Sequence, residues 1–279
     1  MSEFIKVPVA SILSTTELDT LNSLRNTREV RLALQSGGFI AGGFARALLS
    51  KTPIRGYLNP GYDSLPGDVD IFFKSSEDAE QAAALLGTDV YPSQGGFAKE
   101  GSSKLPLSDC GSSYLSFKIQ LVDATDLIFP TVEETLNRFD FVNCQVALIG
   151  DDLIYPREWH DLEKQKRLKI ANIKAPFMGN RVNKYIKQRG YKGLVPESQE
   201  IFGDWLIKAA TSDFEGFKDK HKLGLEHAVK TLFSNGLVPK EDLVLFLGKW
   251  KEIRTTLVYS SRYTYEVDWA HSAIEQSRV

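Results

Sequence analysis

The sequence predicts an α+β fold: a mixed sheet with helices over residues 1–156, followed by a basic connector and a mainly helical domain over residues 157–279. Three observations lead there. Segments of period-two character, DVDIFF and YLSFKIQLVDA, alternate in the first half with helical patterns such as SSEDAEQAAALLG. Glycine and proline interrupt that half at short intervals. Beyond Pro156 the strand patterns give way to stretches of helical periodicity: ESQEIFGDWLIKAAT, DKHKLGLEHAVKTLFSNG and PKEDLVLFLGKWKEIRTTLVYS.

In chain order, residues 1–35 read as a short lead and then helix, with Thr15 or Thr16 capping LDTLNSLRN. Ser36-Gly37-Gly38 is a turn. Phe39-Ile40-Ala41 is a short strand, broken by Gly42-Gly43 before the helix FARALLSK. Residues 52–67 hold Pro53, Gly56, Pro60, Gly61, Pro66 and Gly67 and read as a loop. In DVDIFF, Asp68, Asp70 and Phe72 share one face and Val69, Ile71 and Phe73 the other. Ser75 or Ser76 caps the next helix and Gly87 stops it. DVY is a short strand, and the Gly/Ser-rich residues 92–113 read as a long loop, either a cover over a site or a surface hairpin. PTVEETLNRF is a helix capped by Thr131. FVNCQVALIG is a strand with LIYP as its hairpin partner.

Composition narrows the class. Of 279 residues, 42% are hydrophobic and 25% charged, an ordinary globular balance, and the net charge is −2, so bulk charge does not mark a polyanion binder. Local charge does stand out: Arg157 to Lys192 holds 11 basic against 3 acidic residues. Cys110 and Cys144 form no metal spacing and read as reduced thiols. Neither a secretory signal nor a membrane span is visible, so a soluble, cytoplasmic protein is expected. His160, His221, His227 and His271 lack zinc spacing. Lys51 is not preceded by the glycine a P-loop needs, and no nucleophile elbow occurs.

One stretch carries chemistry. Asp68 and Asp70 lie on one strand face with Cα atoms roughly 6–7 Å apart. Two carboxylates so placed can share Mg²⁺, a hard cation that prefers oxygen. Gly42-Gly43 lets the backbone approach a phosphate at a helix start. Together they point to metal-dependent nucleotidyl transfer.

The order Gly-Gly, helix, loop, Asp-x-Asp resembles the DNA polymerase β-type nucleotidyltransferase superfamily. GGFARALL is similar to the GGxxRDxLL signature of tRNA nucleotidyltransferases (CCA-adding enzymes) and bacterial poly(A) polymerases. The resemblance covers roughly residues 36–123. A looser echo to about residue 191, in FDFVNCQVAL and RVNKYIKQRGY, is similar to viral and eukaryotic nucleotidyltransferase-like proteins. It implies a polymerase β-like core, with Gly42, Gly43 and Arg46 holding the nucleoside triphosphate and Asp68 and Asp70 binding Mg²⁺ or Mn²⁺. Arg181, Lys184, Tyr185 and Gln188 share a helical face able to meet a base or phosphates, the alternative being a solvated basic helix with Tyr185 half-buried. The expected reaction moves an NMP from an NTP to a hydroxyl, with an RNA (tRNA-like) 3′ end as the first choice of acceptor. Nucleotidylation of a protein or small molecule, and a catalytically decayed nucleic-acid binder, are the alternatives. Three departures bear on this. Ala47 replaces the acid that usually follows the signature arginine. Gln120 stands where a third carboxylate is expected, with Asp123 on the other pleat face and Asp140 as a further candidate. The helical half has no Glu-Asp-x-x-Arg segment of the kind that reads CTP and ATP.

Overall fold

The long period-two segments pair into one eight-stranded mixed sheet. The computed structural model describes residues 3–50, 68–92, 98–106, 114–124, 126–173 and 178–202. The strands of this sheet are β1 (Phe4–Pro8), β2 (Phe39–Ala41), β3 (Asp68–Phe72), β4 (Val90–Pro92), β5 (Ala98–Pro106), β6 (Tyr114–Val122), β7 (Ala147–Ile149) and β8 (Asp152–Pro156). They run in the order β1-β8-β7-β2-β3-β6-β5-β4. β3 and β6 pair in parallel, and every other neighbouring pair is antiparallel. The parallel pair requires a crossover, and its connection includes the helix Ser76–Leu86.

Alternation sorts the two sheet faces. Val69 and Ile71 enter an apolar layer with Ile40, Ile119 and Leu121. Against it pack helices α1 (Thr15–Arg25), α2 (Arg28–Gln35), α3 (Gly43–Leu49) and α4 (Ser76–Leu86), through Leu21, Leu24, Val30, Ala33, Leu48, Ala82 and others. Phe39 and Phe72 enter the opposite layer, under α5 (Val132–Leu136) and α7 (Met178–Arg189); α6 (Trp159–Gln165) lies between these in sequence. Each fully buried aliphatic side chain contributes about 1.5–3 kcal/mol. Ile71, with no exposure at all, is among those whose truncation to Ala costs about 2–5 kcal/mol. The fit is close: a Cβ on Gly38 would lie 2.7 Å from both the Ala33 carbonyl oxygen and the Ile71 Cγ2.

The mixed sheet with helices that the sequence predicts is present, and four details differ. β1 was read as lead, yet it closes one sheet edge against β8 in the register Phe4↔Pro156. The cap of α1 is Ser14, ahead of both Thr15 and Thr16, in a reciprocal capping box with Glu17. Within the stretch read as a loop at 92–113 lies β5, paired along all nine residues with β6. Its composition is poor in strand formers, and the partner strand overrides it. Finally, FVNCQVALIG is strand only at its end. Asn143 donates to the Arg167 carbonyl (3.1 Å) and accepts from the Lys169 amide (3.1 Å), which holds a 3₁₀ turn at Val142–Cys144 before β7.

The described residues between 159 and 202 pack against the sheet. Val182, Tyr185, Leu194 and Phe202 share one buried cluster with Phe39 and Phe72. The helical patterns beyond residue 202 lie outside the described residues. No helix among the described residues is long and apolar enough to cross a membrane.

Candidate functional site

The face of β3 that carries Asp68 and Asp70 is the one α7 covers, so the two acids meet the basic residues of that helix. Asp70 is partly buried, and its carboxyl is pushed up to about 7, by burial first and by the neighbouring Asp68 second. Arg181, Lys184 and Lys118 pull it back down. Lys184 in turn lies below the usual lysine range, from desolvation and then from Arg189, while Asp68 and Asp70 oppose that shift. Two acidic and three basic side chains thus share one field across β3, β6 and α7.

Gly42 joins this site through its backbone. It sits at φ +77°, ψ −130°, between β2 and α3, a conformation that L side chains rarely adopt. Space is not the constraint: a Cβ there would lie 3.6 Å from the Phe139 ring and 3.8 Å from Asp70 Oδ2. The glycine turn therefore abuts the Asp70 carboxylate, bringing together two sequence features more than 25 residues apart. The Gly42 amide is already spent on the Val146 carbonyl (2.9 Å), and its own carbonyl accepts from the Arg46 amide (2.9 Å). Gly43 opens α3 beside it.

The parallel register sets Asp68 opposite Lys118 and Asp70 opposite Gln120. Gln120 is in turn opposite Glu100 of β5. Its Nε2 donates to Glu100 Oε1 at 2.7 Å, and Lys118 Nζ reaches the same oxygen at 2.7 Å. Lys118, through its hydrogen bond first, holds the Glu100 carboxyl below its ordinary range. Asp123 follows β6 and pairs with Lys99 (3.7 Å), whose register partner is Leu121, so it belongs to the pleat face opposite Gln120. Asp140 is buried and bound to Arg181, through contacts to Arg181 Nε and Nη2, and to the Phe141 amide at 3.1 Å.

Arg46 goes elsewhere. Only 7% exposed, it donates from Nη1 to Tyr191 Oη (3.0 Å) and lies 3.8 Å from Glu163 Oε1. Tyr185 and Tyr191 flank its guanidinium at 5.7 and 6.0 Å. Tyr191 also contacts Glu163, and Tyr185 Oη lies 2.6 Å from Cys144 Sγ. Burial pushes both phenols up. Arg46 therefore ties α3 to α6 and α7 rather than facing the aspartates, and Tyr185 packs inward, fully buried instead of half-buried. Gln188 has no described side chain.

Sequence reasoning missed Glu100 and Lys118 as members of the site. Lys118 carried a signal, standing two residues before Gln120 on the same strand face. Glu100 carried none, because its segment read as loop.

A profile of the family described as "Gad2: Gabija anti-defense 2 family protein" matches residues 11–165, more than half of the chain. The chain belongs to the Gabija anti-defense 2 family. The matched span covers β2, α3, β3 and β6, and so includes Gly42, Asp68, Asp70 and Gln120. A search of curated proteins gives no match. Among solved structures, a CCA-adding enzyme in complex with CTP is similar at TM-score 0.49 and 14% identity, over 90% of this chain and 56% of the other. The Thermotoga maritima CCA-adding enzyme complexed with tRNA(CCA) is similar at TM-score 0.48 and 14% identity, over 92% and 58%. A CCA-adding enzyme complex with ATP gives 0.49 and 16%, over 87% and 55%. The chain thus spans a little over half the length of these structures.

Proposed function

We propose that this chain is a divalent-metal-dependent nucleotidyltransferase that moves an NMP from an NTP to a hydroxyl, and that its acceptor is a component of the Gabija defence its family name refers to. One observation carries the reading: the Gly42 turn abuts the carboxylate of Asp70, itself raised to about 7 by burial beside Asp68. The donor set fits Mg²⁺. Two carboxylates on one strand face, with the Gln120 amide in register with Asp70, offer hard oxygen ligands, and a cation between the acids relieves their mutual repulsion. Among the described residues no group of three or more His, Cys, Asp or Glu could hold a metal, and Gln120 is the residue in register with Asp70 that offers a further oxygen. When bound, the cation neutralises charge that develops on the transferred phosphoryl group. Asp68 and Asp70 hold it. Lys118, Lys184 and Arg181 set a positive field over the same face, suited to the triphosphate. Without a third carboxylate, no side chain in register with Asp70 can act as base toward the acceptor hydroxyl.

An RNA 3′ end is the second reading, carried by the basic excess between Arg157 and Lys192. Among the described residues, Arg157 pairs with Glu3, Lys166 with Glu163, Lys169 with Glu158 and Arg181 with Asp140. That pairing lowers the charge left for a polyanion. The test is to incubate the full chain with each α-³²P-labelled NTP and Mg²⁺, with tRNA in one arm and Gabija components in another. Label on a Gabija component, absent with Asp68→Ala/Asp70→Ala, is the expected result. Label on RNA alone moves the acceptor to the second reading, and equal labelling by the double variant removes the mechanism.

A further inference from the structure

Position 120 raises a specific problem. A glutamine side chain has two faces, a donating NH₂ and an accepting carbonyl, and only the carbonyl can ligate a cation. A free amide flips between them. Here it is not free to flip, because Gln120 lies between Asp70 on β3 and Glu100 on β5, in register with both. An ionised carboxylate only accepts, so the group 2.7 Å from Glu100 Oε1 must be the amide nitrogen. The Lys118 ammonium, 2.7 Å from the same oxygen, keeps Glu100 ionised. With Nε2 fixed on the β5 side, the planar carboxamide sets Oε1 about 120° away from the Nε2 direction, so the oxygen does not face Glu100. Adjacent strands are about 4.8 Å apart, so Glu100 lies two spacings from Asp70 with Gln120 between them, and its Oε1 is engaged by Gln120 and Lys118.

We propose that Glu100 is a positioning residue for the metal site: it holds the Gln120 amide nitrogen so that the Gln120 carbonyl oxygen faces Asp70 and serves as the third, neutral ligand of the divalent cation. The acid absent from β6 is displaced one strand outward, where it acts through the glutamine. The inference rests on the two-aspartate metal reading above. Partners that orient a metal ligand are commonly worth 10–100-fold in metal affinity.

The experiment measures Mn²⁺ affinity of the full chain by electron paramagnetic resonance, without nucleotide, so the readout is independent of turnover. Wild type is compared with Glu100→Gln, Gln120→Ala and the double variant, each first checked for an unchanged melting temperature. Glu100→Gln is expected to lower Mn²⁺ affinity about tenfold in the wild-type background. In the Gln120→Ala background it is expected to change affinity by less than about twofold, because the oxygen it would orient is gone. Removing a nearby negative charge would weaken the cation equally in both backgrounds. An equal loss in both therefore overturns the positioning role, as does no loss in either. Asp68→Ala/Asp70→Ala tests the underlying reading separately. If wild type binds Mn²⁺ and this variant binds it just as well, the two-aspartate site is wrong. If the variant abolishes binding while Glu100→Gln has no effect, only the role of Glu100 fails.

Discussion

Two polar clusters sit under α7, and they solve opposite problems. The inner one joins Arg46, Glu163, Tyr185, Tyr191 and Cys144, all buried, and sets opposite charges and aromatic rings against one another. The outer one, across β3, β6 and β5, sets like charges together: Asp68 beside Asp70, with Asp70 raised to about 7. An inner cluster of that kind fixes helices. An outer one stores repulsion that a cation would release. The two arginines divide in the same way, since Arg46 is enclosed by tyrosines whereas Arg181 is half exposed and bridges Asp140 to the field around Asp70.

The sharpest way to separate the clusters is to cut each in turn. Asp68→Ala/Asp70→Ala should lower nucleotidyl transfer by about three orders of magnitude, about 4 kcal/mol of barrier, with no loss of melting temperature. Arg46→Ala should do the converse. It leaves Glu163 buried with Lys166 as its remaining cation, at a cost of about 3 kcal/mol in urea denaturation.

Acidity gives a third cut. The folded pKa of Asp70 lies above its unfolded value of 3.8, so the folded state holds the proton more tightly. The contribution of this group to stability is therefore greatest at low pH and is lost as pH rises through about 7. Between pH 5 and 8 wild type should lose roughly 1–3 kcal/mol from this group, after allowance for solvent screening, while Asp70→Asn should lose none of it. Millimolar Mg²⁺ should restore wild type at pH 8 and leave Asp70→Asn unchanged, read as melting temperature against pH. The smallest effect is expected from Tyr185→Phe, which removes one hydrogen bond to the Cys144 sulfur and should cost about 1 kcal/mol with transfer unaffected.

The difference between the clusters also marks what the sequence could reveal. Asp68 and Asp70 were legible because a strand repeats every two residues, so spacing alone puts both on one face. Gln120 came from the family resemblance, as the residue standing where a third carboxylate is expected, and strand alternation then set Asp123 on the other pleat face. The sheet and most helix caps were legible for similar reasons: Ser75, Thr131 and Gly87 act within four residues of their own helices. Depth was not legible. Nothing in FARALL distinguishes an arginine that will face a ligand from one that will meet Glu163, more than a hundred residues later. Glu100 was hidden for another reason. Its strand has little propensity of its own and takes its conformation from β6, so its place beside Gln120 exists only once that pairing forms.

The pairing of β1 with β8 has a consequence in time. Phe4 meets Pro156, so roughly 150 residues must be synthesised before the first strand can find its partner. At ribosomal speeds of roughly 5–20 residues per second, that delay is about 8–30 s. Throughout it, Phe4–Pro8 is without its partner strand, and the sheet lacks that outer border. The first strand therefore joins the sheet only after Pro156 has been made, and a chaperone that shields the nascent strand would act here on a single five-residue segment.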